Sequence, residues 1–206
     1  MANEFIVKKG LISKGDVTVV SGSSIATDKL KARSSSGLFL VDDADNGIFV
    51  EDGGNVGIGT TQPAEKLDID QGNIHVDHEP TSSGSATGGV IITATVDANA
   101  TGFAAALHMD TDGNWIEADA SSTATMPCQA LAMETGTGSK KVLMQGFVKD
   151  TSWSWTIGGT LYVSATTGAM TQTAPSTTGE QVQAVGFATN TDKMYFNPDY
   201  TLVEIA

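Results

Sequence analysis

The chain has 206 residues, of which 40 % are apolar and only 17 % charged, with 24 acids against 11 bases and a net charge of −13. That balance argues against nucleic acid as a partner, because phosphate is met by cationic side chains. It argues equally against docking on an anionic membrane surface, and the plain reading of the charge is solubility at high concentration. Gly, Ser, Thr and Val take the place of long straight-chain helix formers, so the expected fold class is all-β.

The stretch "MANEFIVKKGLISKGD" puts acid before base and has no apolar core of leader length, and no window approaches a membrane span. Synthesis and folding in a cytoplasm are therefore expected. "EFIVKKGLI" and "DVTVV" read as short strands broken at Gly10 and Gly15, and "ATDKLKARSSSG" as a loop or one helical turn. A loose repeat follows: "GLFLVDDADN" from Gly37, "GIFVEDGGN" from Gly47, then "VGIG", "KLDID" and "NIHVD". Each unit is a short apolar strand closed by an Asp/Asn/Gly turn. Asn46-Gly47 and Asp52-Gly53 are hairpin signals, because both central residues of such turns take positive φ.

Strands of about four residues bury little, and a few of them make only a thin layer. No amphipathic helix is at hand to cover it. The economical cover is further copies of the same layer around a common axis, so residues 1–80 are expected to form an intertwined, β-prism or fibre-like segment. Leu38, Leu40, Ile48, Val50, Val56, Ile58, Leu67 and Ile69 are its expected oligomer core. "EPTSSGSATGG", from Glu79 to Gly89, is rich in Ser, Thr and Gly, and residues 81–89 are read as a linker.

Residues 90–206 carry longer strand signals. "VIITATV" is β-branched, "GFAAALHMD" is ambiguous between strand and short helix, and "NWIEAD" ends in a polar turn. "CQALAME", "KKVLMQGFVKD", "GTLYVSA", "AMTQTA", "QVQAVGFAT" and "KMYFN" read as strands separated by turns, the spacing of a small barrel or sandwich. In "TLYVSA", Leu161 and Val163 oppose Tyr162 and Ser164; in "QVQAVGF", Val182, Ala184 and Gly186 oppose Gln183, Val185 and Phe187.

Little in the chain points to chemistry, and no catalytic, cofactor-binding or metal-binding residue is assigned. Cys128 is the single cysteine, so no intrachain disulfide forms; it sits in "MPCQALAM" far from any base and reads as a small buried hydrophobe. "NIHVDH" places His75 and Asp77 on one face of a strand, with His78 on the other. Three copies around an axis would offer six ligands there, but a polar solvent-facing edge is the favoured reading. "DTDGN" at 110–114 and "DDADN" at 42–46 read as turns rather than calcium loops, since no flanking helices or suitably placed Glu accompany them. "GNVGIGTTQP" has no following helix and no P-loop lysine. The chain is read as a non-enzyme. Trp153 and Trp155 in "WSWTIGGTLYVS" are expected on one face of a strand, covering the domain or an interface, with a shelf for sugar or protein as the functional reading. Phe196, Tyr200, Leu202 and Val203 suggest that the last segment is docked.

Two stretches resemble known proteins. "GNVGIGTTQPAEKLDI", Gly54 to Ile69, resembles the glycine-rich segment found in bacteriophage tail fibres and related virion appendages. The region from about Cys128 to Ile205, with "VLMQGFVKDTSWSWTIGGTLYVSATTGAMTQTAP" at its centre, resembles the C-terminal part of phage virion structural proteins, including head-decoration and head-fibre proteins. The resemblance implies a small β-barrel or β-tulip-like domain, a homotrimer, and a place on the virion surface. It implies partnership with the chain itself and with the major capsid protein or other virion proteins. It carries no catalytic residues. Capsid decoration, clamping subunits where they meet, is the expected role, with Phe5, Ile6 and Val7 or Trp153 and Trp155 as candidate partner contacts. The alternative is a tail fibre or receptor-binding appendage for host attachment, and a glycan-degrading enzyme is the least favoured reading.

Overall fold

The computed structural model describes residues 37–42, 44, 47–70, 72–76, 80–97 and 102–206. The strands read in "EFIVKKGLI" and "DVTVV", and the candidate contacts Phe5, Ile6 and Val7, lie outside the described residues. The chain divides into two compact units, Met1–Ile74 and His75–Ala206. Among the described residues both hold strands, and a single 3₁₀ turn at Thr123–Thr125 is the only helical element.

The first unit holds a four-stranded sheet of β1 (Leu38–Val41), β2 (Gly47–Val50), β3 (Val56–Ile58) and β4 (Leu67–Ile69), in that order. β1, β2 and β3 run antiparallel in succession, whereas β4 lies parallel to β3. A parallel neighbour normally needs a long crossover. Here β3 is three residues long, roughly 10 Å, so a short loop spans the return. The glycine-rich motif is this strand–loop–strand unit. The loop folds so closely over β3 that a Cβ on Gly57 would run into the Thr60 carbonyl. Gly59 turns the chain at φ 77°, Pro63 is buried, and Ala64 N–H donates to the Asp68 carboxylate at 3.0 Å. The link from β2 to β3 is a longer turn than a two-residue hairpin: Glu51 N–H donates to Asn55 O at 2.9 Å, with positive φ at Gly53 and Gly54. Gly47 opens β2 opposite Val41 instead of forming a turn, and Asn46 lies outside the described residues.

The register sets the faces of this sheet. Leu38 pairs with Val50, Leu40 with Ile48, Ile48 with Ile58, Val50 with Val56, Val56 with Leu67 and Ile58 with Ile69. Directly opposed residues share a face, so all eight of these apolar side chains line one side. Leu40, Ile48, Ile58 and Leu67 there are 51, 40, 39 and 57 % exposed. On the other side Phe39 packs on Phe49 with ring centroids 4.6 Å apart. "NIHVD" forms no strand: residues 73–76 carry no regular structure, and Asp77 and His78 lie outside the described residues.

The second unit is a nine-stranded sheet. Its strands are β5 (Ser85–Val96), β6 (Ala106–Met109), β7 (Trp115–Glu117), β8 (Ala130–Ala132), β9 (Gly138–Lys149), β10 (Thr160–Val163), β11 (Met170–Thr171), β13 (Ala184–Asn190) and β14 (Lys193–Phe196). Their order is β11-β10-β13-β14-β9-β5-β7-β6-β8, and β8 pairs again with β9. The pairings β9-β5-β7-β6-β8-β9 therefore close into a circuit. A two-stranded pair of β12 (Gln181–Val182) and β15 (Val203–Glu204) ties down the C-terminal segment. Residues 85–89, read from composition as linker, begin β5, with Ser85 opposite Lys149 and Thr87 opposite Phe147. The ambiguous alanine-rich stretch becomes strand β6.

Two cores follow from this topology. Val96, Leu107, Trp115, Ala130, Ala132 and Val142 come one or two from each strand of the circuit and pack together. A larger core joins Leu131, Leu143 and Val148 to Leu161, Val163, Val185, Met194 and Phe196. The alternation expected in β10 holds, with Leu161 and Val163 fully buried. That of "QVQAVGF" breaks: Gln183 and Val185 are buried, but Phe187 is 46 % exposed and Ala188 is buried. The cause is a bulge, since Leu161 opposes Gly186 while Tyr162 opposes Ala184, leaving Val185 as the extra residue. Gly186 takes φ 150° there, and a Cβ would collide with the Tyr195 carbonyl.

Candidate functional site

Trp153 and Trp155 do not lie on a strand. They occupy the loop between β9 and β10, where Asp150 turns the chain: its carboxylate accepts from Ser152 N–H at 2.9 Å and its carbonyl from Trp153 N–H at 3.1 Å. Trp155 N–H then donates to Thr191 O at 2.8 Å, fixing the loop to the β13–β14 turn. The rings sit 5.5 Å apart, tilted by 46°, and both are half-buried against the larger core. The two rings thus cover part of the larger core from a loop instead of a strand, and they line a recess of about 320 Å³.

Sequence reading missed the rest of that cavity. Phe103 and Ala104 arrive from the segment before β6, Glu117 from the end of β7, and Thr167–Met170 from the β10–β11 turn. Glu117 is only 9 % exposed. Ala104 takes φ 60°, a left-handed conformation unusual for a residue with a side chain, and its N–H donates to Ala132 O at 2.7 Å. The Trp155 indole Nε1 is buried without a hydrogen-bond partner. A buried acid after "WI" and a positive-φ alanine leave no local mark in the sequence, and only the tertiary fold brings these segments together.

A second surface crosses the sheet. Phe147 on β9, Tyr195 on β14 and Phe187 on β13 are directly opposed in register. Their ring centroids are 4.7 and 5.8 Å apart, and Gln145 Nε2 donates to the Tyr195 hydroxyl.

The remaining candidates resolve locally. Asp110 accepts from Asp112 N–H and Asn114 N–H at 2.9 and 2.8 Å, so its carboxylate closes its own turn. Among the described residues no group of three His, Cys, Asp or Glu side chains is placed to hold a metal ion. Cys128 is fully buried, and desolvation pushes its thiol up to about 12. His108 is 4 % exposed, its Nδ1 faces Met109 O at 3.2 Å, and its Nε2 has no partner. Burial lowers its pKa, against smaller opposing effects of the Met109 carbonyl and Asp110.

A histidine depressed in the folded state binds fewer protons there than in the unfolded chain, so its contribution is complete above the unfolded value and shrinks as pH falls below it. The expected result is a Tm that drops between pH 7 and pH 5, by an amount that His108→Gln reduces. Equal pH dependence in both proteins would count against this role.

No protein-family model matches the chain, and no curated protein matches it.

Proposed function

We propose that the protein is a homotrimeric structural component of a phage virion, decorating the capsid exterior at subunit junctions. The observation that carries the oligomer is the apolar face of the first sheet. Eight aliphatic side chains gather on one side of four short strands, and four of them, Leu40, Ile48, Ile58 and Leu67, are exposed. A thin sheet of this kind reaches stability by covering that face with equivalent faces of sister chains. The virion assignment rests on the resemblance of Gly54–Ile69 and of the C-terminal region to phage proteins. The closed strand circuit of the second unit fits a small barrel. The Phe147–Tyr195–Phe187 strip supplies rigid aromatic anchors of the type that dominate protein interfaces.

Two measurements test this reading. Sedimentation of the purified chain is expected to give a single species of three chains. Incubation with expanded, undecorated heads is expected to show saturable binding at a fixed ratio to capsid subunits. The tail-fibre alternative is favoured by the Trp-lined cavity, and retention on host cells without binding to heads would establish it in place of decoration.

A further inference from the structure

We infer that the cavity walled by Trp153, Trp155, Phe103, Glu117 and Asp150 binds an alkylammonium group. The inference rests on the second unit alone and holds whatever the virion role. The space of about 320 Å³ lies at the small end of ligand pockets. It suits a head group or the tip of a side chain, not an extended polymer. Two indoles, tilted by 46° to one another, line it together with the Phe103 ring, and each ring carries π faces. A cation held against such faces is attracted by the ring quadrupoles, most strongly where water is excluded.

Charge selects among ligands. Glu117 and Asp150 both line the cavity, and no Lys, Arg or His does among the described residues. An anionic ligand would meet two like charges. A neutral sugar brings no charge to set against the two carboxylates. An ammonium group is attracted by both the rings and the carboxylates.

The backbone around the carboxylate is built to leave it room. Gly168 takes φ 71°, and a Cβ there would stand 3.0 Å from the Glu117 carboxyl. Ala104 is held in the left-handed region across the same cavity. Backbone strain of this kind concentrates where a fold gives up stability for function.

The test is a tryptophan-fluorescence titration of the full chain at low salt. The probes are choline, Nα-acetyl-lysine methylamide, 3,3-dimethylbutan-1-ol as the uncharged isostere of choline, and N-acetylglucosamine. Saturable quenching by choline or by the lysine derivative is expected, with neither neutral compound saturating over the same range. Tighter binding of choline points to a methylated head group as the natural source, and tighter binding of the lysine derivative to a protein side chain; both sustain the inference. Glu117→Gln is expected to weaken binding about tenfold, the lower end for losing a hydrogen bond to a charged group, and Asp150→Asn less, while Asp112→Asn on the exposed turn changes nothing. Circular dichroism checks that each variant is folded. If Glu117→Gln is not, Asp150→Asn and Trp153→Leu carry the comparison. No saturation by either cation, equal binding of the isostere, or saturation by the sugar alone overturns the inference.

Discussion

Ile48→Asp is expected to turn the proposed trimer into a monomer in sedimentation equilibrium at micromolar concentration. Ile48 is opposed on one side by Leu40 and on the other by Ile58, so it sits in the middle of the apolar face. In an isolated chain the side chain is 40 % exposed, and a carboxylate there keeps much of its hydration. In a trimer the same carboxylate is buried against two sister faces without a cation, a situation that costs about 3–5 kcal/mol per site. The cost falls almost wholly on assembly, so the second unit should retain its circular dichroism. Ile48→Thr keeps the β-branched shape and removes one apolar group, and is expected to weaken association without abolishing it. Asp68→Asn, on the opposite face across from Gly57, is the matched control and should leave the trimer intact. A wild-type chain that sediments as a monomer, or an Ile48→Asp chain that still forms a trimer, would remove the basis for the proposed assembly.

Gln183→Leu is expected to give the largest loss of stability of any single change in the second unit. Gln183 is 1 % exposed and uses its whole amide. Its Oε1 accepts from Cys128 N–H at 2.7 Å, while its Nε2 donates to Cys128 O at 2.8 Å and to Asp199 O at 2.7 Å. The side chain thus ties the approach to β8, the junction of β12 with β13, and the C-terminal segment at one point. Leucine matches its size but leaves the buried Cys128 N–H and C=O unpaired, each costing about 1–3 kcal/mol, while the Asp199 carbonyl, on an exposed residue, can turn to water. A loss of roughly 2–6 kcal/mol is a large share of the 5–15 kcal/mol typical of a domain, and corresponds to a fall in Tm of about 6 °C or more. Gln183→Glu keeps the acceptor but turns a charged oxygen toward two carbonyls, so it should be no better tolerated. A Tm for Gln183→Leu within about 2 °C of wild type would show that the clamp does not hold the fold together.

Gln183 also shows where sequence reading fails. By alternation it sits on the same side as Val185, and the position is indeed inward. A polar residue at a core position is a flaw by pattern alone, and only its three distant partners make it a strut. Phe187 fails in the opposite sense. Counting by two places it inward with Val185, but one bulged residue reverses the parity and exposes it. The tryptophans were misplaced for a related reason. "WSW" alternates like a strand, yet Asp150 captures the Ser152 and Trp153 amides and starts a loop before any neighbour can pair with them.

By itself the sequence determined the all-β class, the positions of most strands, and the common face of Leu38, Leu40, Ile48, Val50, Val56, Ile58, Leu67 and Ile69. Those features are local: a two-residue period and turn-forming glycines act over a few residues. The tertiary structure alone decided the parallel pairing of β3 with β4, the conversion of residues 85–89 from apparent linker to strand, the closed circuit through β9, and the meeting of Trp153, Trp155 and Glu117 around one cavity. Strand partners are joined by backbone hydrogen bonds, which every residue but proline offers alike. Side-chain pattern therefore states which way a strand faces and leaves its neighbour to be settled by how the whole chain packs.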